Sequence, residues 1–246
     1  MQPGMKPLIS CICITADRLS FVERAIKCFQ AQTYPNKELI IYDTGVESVP
    51  VRDIRGVGFY SGVGATVGQL RNLAIARSSG RIIAHWDDDD VSHPMRLGEQ
   101  FDIMMNGCDV VGYSSIVFHH LDSNEFWRYS GELDTAVGTS MMYRREVWEN
   151  SKFFPVDVGE DNVFQRPQTS NVDPKRLTHG QLRSKHVVTS YGHNPLRMVA
   201  THHGRNISGE RGKFVQGNRL HESCWSIIQN RGKIEEIQEF LKFAAV

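Results

Sequence analysis

The chain has 246 residues, with 28 basic and 28 acidic side chains, so its formal net charge is zero with ten histidines neutral. Charged residues make up 23% and hydrophobic residues 40%, which excludes a disordered, collagen-like or coiled-coil chain. The balance also argues against non-specific nucleic-acid binding, which runs on surplus Lys and Arg, and leaves no strong nucleic-acid signal.

Leu8–Ile14 is a mostly apolar run that reads as a buried strand. Ser20 then opens a helix, with Glu23 three residues on as a capping box and Phe21, Val22, Ala25, Ile26 and Phe29 on one face. Glu38–Tyr42 is a second strand, ending at Asp43. This strand–helix–strand unit predicts a parallel crossover. The glycines between Gly56 and Gly68 match neither GxGxxG nor a P-loop and read as a flexible connection. Gln69–Ser78 is predicted helical, with Leu70, Leu73 and Ala74 inward. Arg81–Trp86 is a third strand that runs into Asp87, Asp88, Asp89 and Asp90, and a further helix past Pro94 turns Leu97, Phe101, Met104 and Met105 inward.

The second half is less regular. Asp109–Tyr113, Ser115–His119, Phe126–Tyr129, Gly138–Tyr143, Val187–Ser190 and Met198–Thr201 read as strands, with a turn over His120–Asn124. Arg145–Glu149 and the segment opened by Gly159-Glu160-Asp161 read as short helices, and Arg166–Arg183 as a long polar loop. Ile234–Phe243 is an amphipathic helix whose apolar face suits the body of the protein or a second copy in a homodimer. No apolar run approaches the ~20 residues of a membrane span, and Met1–Pro7 does not resemble a secretory signal. Five cysteines without CxxC spacing read as buried thiols in a reducing compartment. A cytoplasmic location follows, with attachment to the inner face of a membrane compatible with it.

Three strands thus end in polar or acidic residues, and in open α/β sheets the ligand crevice lies outside the carboxyl ends of the strands. Asp17, Asp43 and Asp87–Asp90 should converge there. In extended backbone Asp87 and Asp89 would face one way, Asp88 and Asp90 the other. Two convergent carboxylates suit a hard divalent cation, Mn²⁺ or Mg²⁺.

In this order the segments resemble family 2 glycosyltransferases. The carrying stretches are PLISCICITADRLSFVERAIKCFQAQTYPNKELIIYDTG, GQLRNLAIARSSGRIIAHWDDDDVSHPMRL, GTSMMYRREVWE, GEDNVF and HHGRNIS. The resemblance implies an α/β fold of the GT-A type, with a single Rossmann-like mixed sheet and helices on both faces. It implies a GT-A domain over 1–215, divided into a nucleotide-sugar half, 1–113, and an acceptor half, 114–215, with a helical tail over 216–246. It implies that Asp89, Asp87 and His203 hold the metal. Thr15, Asp17, Arg18, Asp43, Arg71, Asp87, Asp88 and Asp89 would bind the nucleotide-sugar donor. Asp161 would be the general base, supported by Glu160. The expected reaction is inverting transfer of a sugar to a glycan, lipid-linked or other hydroxyl acceptor, in surface glycan or polysaccharide biosynthesis. A UDP-sugar is weakly favoured; the second strand ends in Asp43-Thr44 where the family usually has two acids, which leaves the base preference open among uridine, guanosine, thymidine and cytidine. Two other readings are a metal-dependent nucleotidyltransferase, which would release pyrophosphate from a nucleoside triphosphate, and a non-catalytic nucleotide-sugar-binding module.

Overall fold

The computed structural model describes residues 6–47, 49–50, 53–131, 135–165, 196–203 and 224–245. Strand β1 (Ile9–Thr15) is almost wholly buried and lies between β2 (Lys37–Asp43) and β4 (Ile82–His85), parallel to both. β3 (Val57–Ser61) adds a parallel edge strand beside β2. The glycine-rich stretch is therefore partly sheet and not only a connection. On the other side β9 (Met142–Arg144) runs antiparallel to β4, and β6 (Val110–Val111) antiparallel to β9, giving the order β3-β2-β1-β4-β9-β6. Met142–Arg144 thus enters the same sheet as strands of the first 113 residues.

Helices cover both faces, as the alternation of β1 requires. Ile9, Cys11 and Cys13 face α1 (Leu19–Gln30) and α3 (Arg96–Met105), meeting Val22, Ala25, Phe29, Leu97 and Met104. Ile12, with Ile40 and Ile83, faces α2 (Val67–Ala76), α4 (Arg145–Asn150) and α5 (Glu160–Phe164), meeting Leu70, Ala74, Ile75, Val147 and Phe164. Cys11, Cys13, Cys28 and Cys108 are buried free thiols. Two residues expected inside are outside: Leu73 is 44% exposed and Met105 48%. Each sits at the edge of its helix's apolar stripe, where 3.6 residues per turn carry it past the contact with the sheet.

The single sheet of the sequence reading has a smaller companion. A second sheet has the order β11-β8-β7-β10-β5, formed by Trp225–Ile227, Glu125–Ser130, Ser115–His120, Met198–His202 and Val91–Ser92. β7 and β8 form the expected hairpin. The tail contains strand β11 as well as helix α6 (Arg231–Ala245). On α6, Ile237 is fully buried against Val117, Phe126 and Val199, and Phe240 and Leu241 pack on the main core. Ile237, Phe240 and Leu241 of the helix's apolar face thus pack on the body of the chain. Gly138–Ser140 is a 3₁₀ turn rather than strand. The proposed strand Val187–Ser190 and loop Arg166–Arg183 lie outside the described residues.

Two helix starts show how local signals compete with tertiary ones. Thr66 caps α2 through a complete capping box with Gln69. The expected box at Ser20 and Glu23 does not form: α1 begins two residues earlier, Arg18 takes the cap position, and no side chain caps it. The Arg18 side chain is engaged elsewhere, with the acidic cluster beyond β4.

Fully buried Arg96 ties the layers together. Its Nη2 donates to the carbonyls of His85 and Thr139 at 3.0 Å each, its Nη1 to Ser92 Oγ at 2.8 Å, and its Nε to Gln100 Oε1 at 3.3 Å. Its guanidinium lies 5.2 Å from the Trp86 ring centroid. Arg96→Leu strands two buried carbonyls and a hydroxyl without their donor. The expected cost is about 3 kcal/mol, read as a lower urea midpoint with an unchanged slope.

Candidate functional site

The site forms where chain direction reverses. From β1 the sheet grows through β2 to β3 on one side and through β4 on the other, so the carboxyl ends of β1 and β4 bracket a topological switch point. Thr15 ends β1, and its Oγ1 donates to Asp88 Oδ2 at 2.6 Å across that crevice.

The four aspartates do not alternate as extended backbone would make them. The chain leaves β4 at His85 and turns at Asp88 and Asp89, so each carboxylate finds a separate partner. Asp87 reaches Arg71 Nη2 at 3.5 Å and keeps 31% of its side chain exposed. Asp88 Oδ1 lies 3.0 Å from Arg18 Nη2. Asp89 Oδ2 meets Arg18 Nη1 at 3.1 Å and His203 Nε2 at 3.2 Å. Asp90 turns inward, accepting from the Thr139 hydroxyl and from the Thr201 amide at 3.0 Å. Burial raises the Asp88 and Asp90 carboxyls above the ordinary carboxylate range, and their acidic neighbours add to the effect.

A second group closes the crevice from α2 and α5. Arg71 is buried and donates through Nε to Glu160 Oε1 at 3.2 Å, so it bridges Glu160 and Asp87. Its Nη1 has no hydrogen-bond partner among the described residues. Asp161 accepts from the Asn162 amide at 2.8 Å. Its Oδ2 lies so close to Gly138 that a Cβ there would meet it at 1.9 Å. Burial raises both the Glu160 and the Asp161 carboxyls, which increases their affinity for a proton.

The remaining candidates do different work. Asp43 is buried, and both its oxygens are taken by backbone amides, Gly45 at 2.9 Å and Val49 at 2.6 Å. Its carboxylate shapes the loop after β2. Asp17 has a positive φ of 53° and accepts from the Glu47 amide at 2.8 Å, pinning the same loop. Close approach explains the glycine of that loop: a Cβ on Gly45 would meet the Asp17 amide nitrogen at 2.5 Å. Of the two adjacent histidines, His203 faces Asp89 and lies tilted against Phe21, 4.9 Å between centroids. His202 faces the other way and stacks on His120 at 4.5 Å.

The site therefore brings together Thr15, Arg18, Arg71, Asp87, Asp88, Asp89, Glu160 and His203, with Asp161 beside Arg71. Three contributors escaped the sequence reading. Arg24 donates to the Asp89 carbonyl, Thr139 to Asp90, and Gly138 leaves room for the Asp161 carboxylate. All three lie inside stretches that carry the family resemblance, but each matters only through a partner more than twenty residues away in the chain.

A divalent cation fits this donor set in part. Asp89 Oδ2 and His203 Nε2 converge, and an oxygen–nitrogen pair suits Mn²⁺. Four carboxylates (Asp87, Asp88, Asp89, Glu160) share two guanidinium groups (Arg18, Arg71), an acidic excess that a cation would offset. Asp87 faces Arg71 rather than this pair, and no three acidic, His or Cys groups among the described residues converge on one point. Further ligands would come from substrate.

The model of the family "Glycosyl transferase family 2" matches residues 10–171, about two thirds of the chain. No curated protein sequence matches significantly. Among solved structures, residues 1–349 of S. aureus TarS in complex with UDP-GlcNAc align with a TM-score of 0.60 and 14% identity, over 83% of this chain and 61% of that one. The mannosyltransferase PcManGT from Pyrobaculum calidifontis, in complex with GDP-Man and Mn²⁺, aligns with a TM-score of 0.59 and 13% identity, over 99% of this chain and 74% of that one. Full TarS is covered over only 43% of its length. At such identities the likeness is one of fold, and the fold is GT-A.

Thr15→Val keeps the shape of the side chain and removes the donor to buried Asp88. The variant is expected to fold with a stability loss of about 1–3 kcal/mol, measured by denaturant titration.

Proposed function

The chain belongs to glycosyl transferase family 2, and from that premise we propose that it transfers a sugar from a nucleoside diphosphate donor to an acceptor hydroxyl with inversion. The observation that carries this reading is the meeting of the acidic turn beyond β4 with Arg71, Glu160 and Asp161 at the carboxyl edge of the sheet. One side of the crevice offers charge for a diphosphate and its cation. The other offers a carboxylate with a raised proton affinity.

In the proposed assignment Asp89 and His203 hold Mn²⁺ or Mg²⁺, with Asp87 on the donor side of the crevice. The cation supplies Lewis-acid stabilisation of the departing diphosphate. Arg71, its Nη1 lacking a partner among the described residues, donates to a donor oxygen. Thr15 and Asp88 form the floor between β1 and β4, while Asp17 and Asp43 hold the loop after β2 against the nucleotide base. Asp161 accepts the proton of the acceptor hydroxyl as that oxygen attacks the anomeric carbon, and one displacement inverts the centre. Glu160, paired to Arg71, positions that guanidinium.

A nucleotide sugar is the donor class; UDP-GlcNAc and GDP-Man are bound by the two solved relatives, and a UDP-sugar is the first to test here. The acceptor class is a glycan, lipid-linked or other hydroxyl, and the context is surface glycan or polysaccharide assembly. No described helix is long and apolar enough to cross a membrane. The proposed setting is cytoplasmic, including the inner membrane face. The tail helix packs on its own chain, so the proposal calls for no second copy.

Purified protein with Mn²⁺ and each common nucleotide sugar is expected to release the nucleoside diphosphate from one donor. Release should be absent without metal and absent in Asp89→Ala. Asp161→Asn is expected to bind that donor and lose transfer; joint loss of binding and transfer would reject the assignment of Asp161. Gly138→Ala displaces the Asp161 carboxylate without removing it. Its kcat is expected to fall about 10²-fold, the cost of an ångström-scale misplacement, with donor KM little changed.

A further inference from the structure

The metal-binding part of the proposed function leaves Arg18 without a role that its geometry explains. Arg18 occupies the cap position of α1, yet its side chain makes no cap bond. Instead its two terminal nitrogens divide between neighbouring carboxylates, Nη2 at 3.0 Å from Asp88 Oδ1 and Nη1 at 3.1 Å from Asp89 Oδ2. Both carboxylates are almost fully buried, while the Arg18 side chain keeps 17% of its surface. Asp89 Oδ2 is also the atom that His203 Nε2 approaches at 3.2 Å. One guanidinium thus sits on the oxygen that the proposed cation would use.

We propose that Arg18 is the resident counter-cation of the acidic turn, and that a divalent cation enters by exchange with it. Two adjacent buried carboxylates cannot both stay charged without compensation. Arg18 supplies it when no metal is bound, keeping the turn at Asp88 and Asp89 in its binding shape. Arrival of a divalent cation at Asp89 makes the guanidinium a like charge at close range and expels it. Its planar fork then serves the diphosphate that accompanies the cation, an anion matched to bidentate donation. The partial exposure of Arg18 gives it room to leave. Arg24, which holds the Asp89 carbonyl rather than a carboxylate, stays in place.

The exchange rests on the metal reading of Asp89 and His203 and makes an unusual pair of demands. Removing Arg18 should strengthen binding of the metal alone, because the cation no longer competes with a guanidinium. It should weaken binding of a nucleoside diphosphate in the presence of that metal, because the phosphate loses its partner. An Arg18 that only braced the fold would move both affinities down together.

The test titrates Mn²⁺ into wild type, Arg18→Gln and Arg18→Lys, following free Mn²⁺ by electron paramagnetic resonance, with melting temperatures recorded metal-free. Arg18→Gln is expected to bind Mn²⁺ about tenfold more tightly or better, roughly the effect of one nearby like charge, and to melt lower without metal. Arg18→Lys, which keeps the charge and loses the fork, should bind Mn²⁺ close to wild type and melt between the two. With saturating Mn²⁺, UDP and GDP are expected to bind Arg18→Gln several-fold more weakly than wild type. Equal or weaker Mn²⁺ binding by Arg18→Gln, or no Mn²⁺ binding by any of the three, overturns the exchange. A clear Mn²⁺ difference with no turnover of any nucleotide sugar sinks the transferase reading and leaves the exchange standing.

Discussion

Four consecutive carboxylates at the end of a buried strand impose the constraint to which the rest of the molecule answers. Carboxylates held out of water cost several kcal/mol each unless paired or hydrogen-bonded. Asp88, Asp89 and Asp90 are all nearly fully buried. Their compensation is spread over the fold: Arg71 from α2 takes Asp87, Thr15 from β1 and Arg18 from the start of α1 take Asp88, and Arg18 with His203 from the end of β10 takes Asp89. Thr139 and the Thr201 amide take Asp90. Elements far apart in the chain are drawn to one turn because no single one of them could satisfy it.

That arrangement couples stability to function. The same contacts that offset the burial of charge set the electrostatics of the crevice. Arg71 is the clearest case: burial alone would make its guanidinium less basic, but Asp87, Glu160 and Asp161 reverse the shift. It links the acidic turn on one wall to the carboxylates of α5 on the other. Behind it, neutral His85 and fully buried Arg96 hold the Gly138–Ser140 turn in place. His85 Nδ1 lies 2.7 Å from the Gly138 carbonyl, and Arg96 donates to the Thr139 carbonyl at 3.0 Å. The turn that accommodates Asp161 is thereby braced by the core.

Much of this was legible along the chain. The apolar runs at β1, β2 and β4, the helical spacing between them and the acidic residues at their ends specify a parallel layered sheet with a crevice at its carboxyl edge. The order of motifs from Thr15 to His203 assigns the candidate residues. Other features were not legible. Val57–Ser61 carries glycine and mixed burial, so its pairing depends on the exposed edge of β2 rather than on its own pattern. The capping box at Ser20 was locally sound, but the helix starts where Arg18 meets the acidic turn. Period-two alternation failed across Asp87–Asp90 because the strand had already ended.

By itself the sequence determined the class of fold, the family and the set of residues available to the site, because hydrophobic periodicity and motif order are local properties that survive without coordinates. Only the tertiary structure decided how those residues divide their work. It set His203 and not His202 against Asp89, placed both oxygens of Asp43 on a loop, left Gly138 open for Asp161 and seated Arg18 on the proposed metal-binding carboxylate. The physical reason is that the charge of a buried carboxylate is balanced by whichever donor lies within about 3 Å, and that distance is fixed by the packing of segments tens of residues apart.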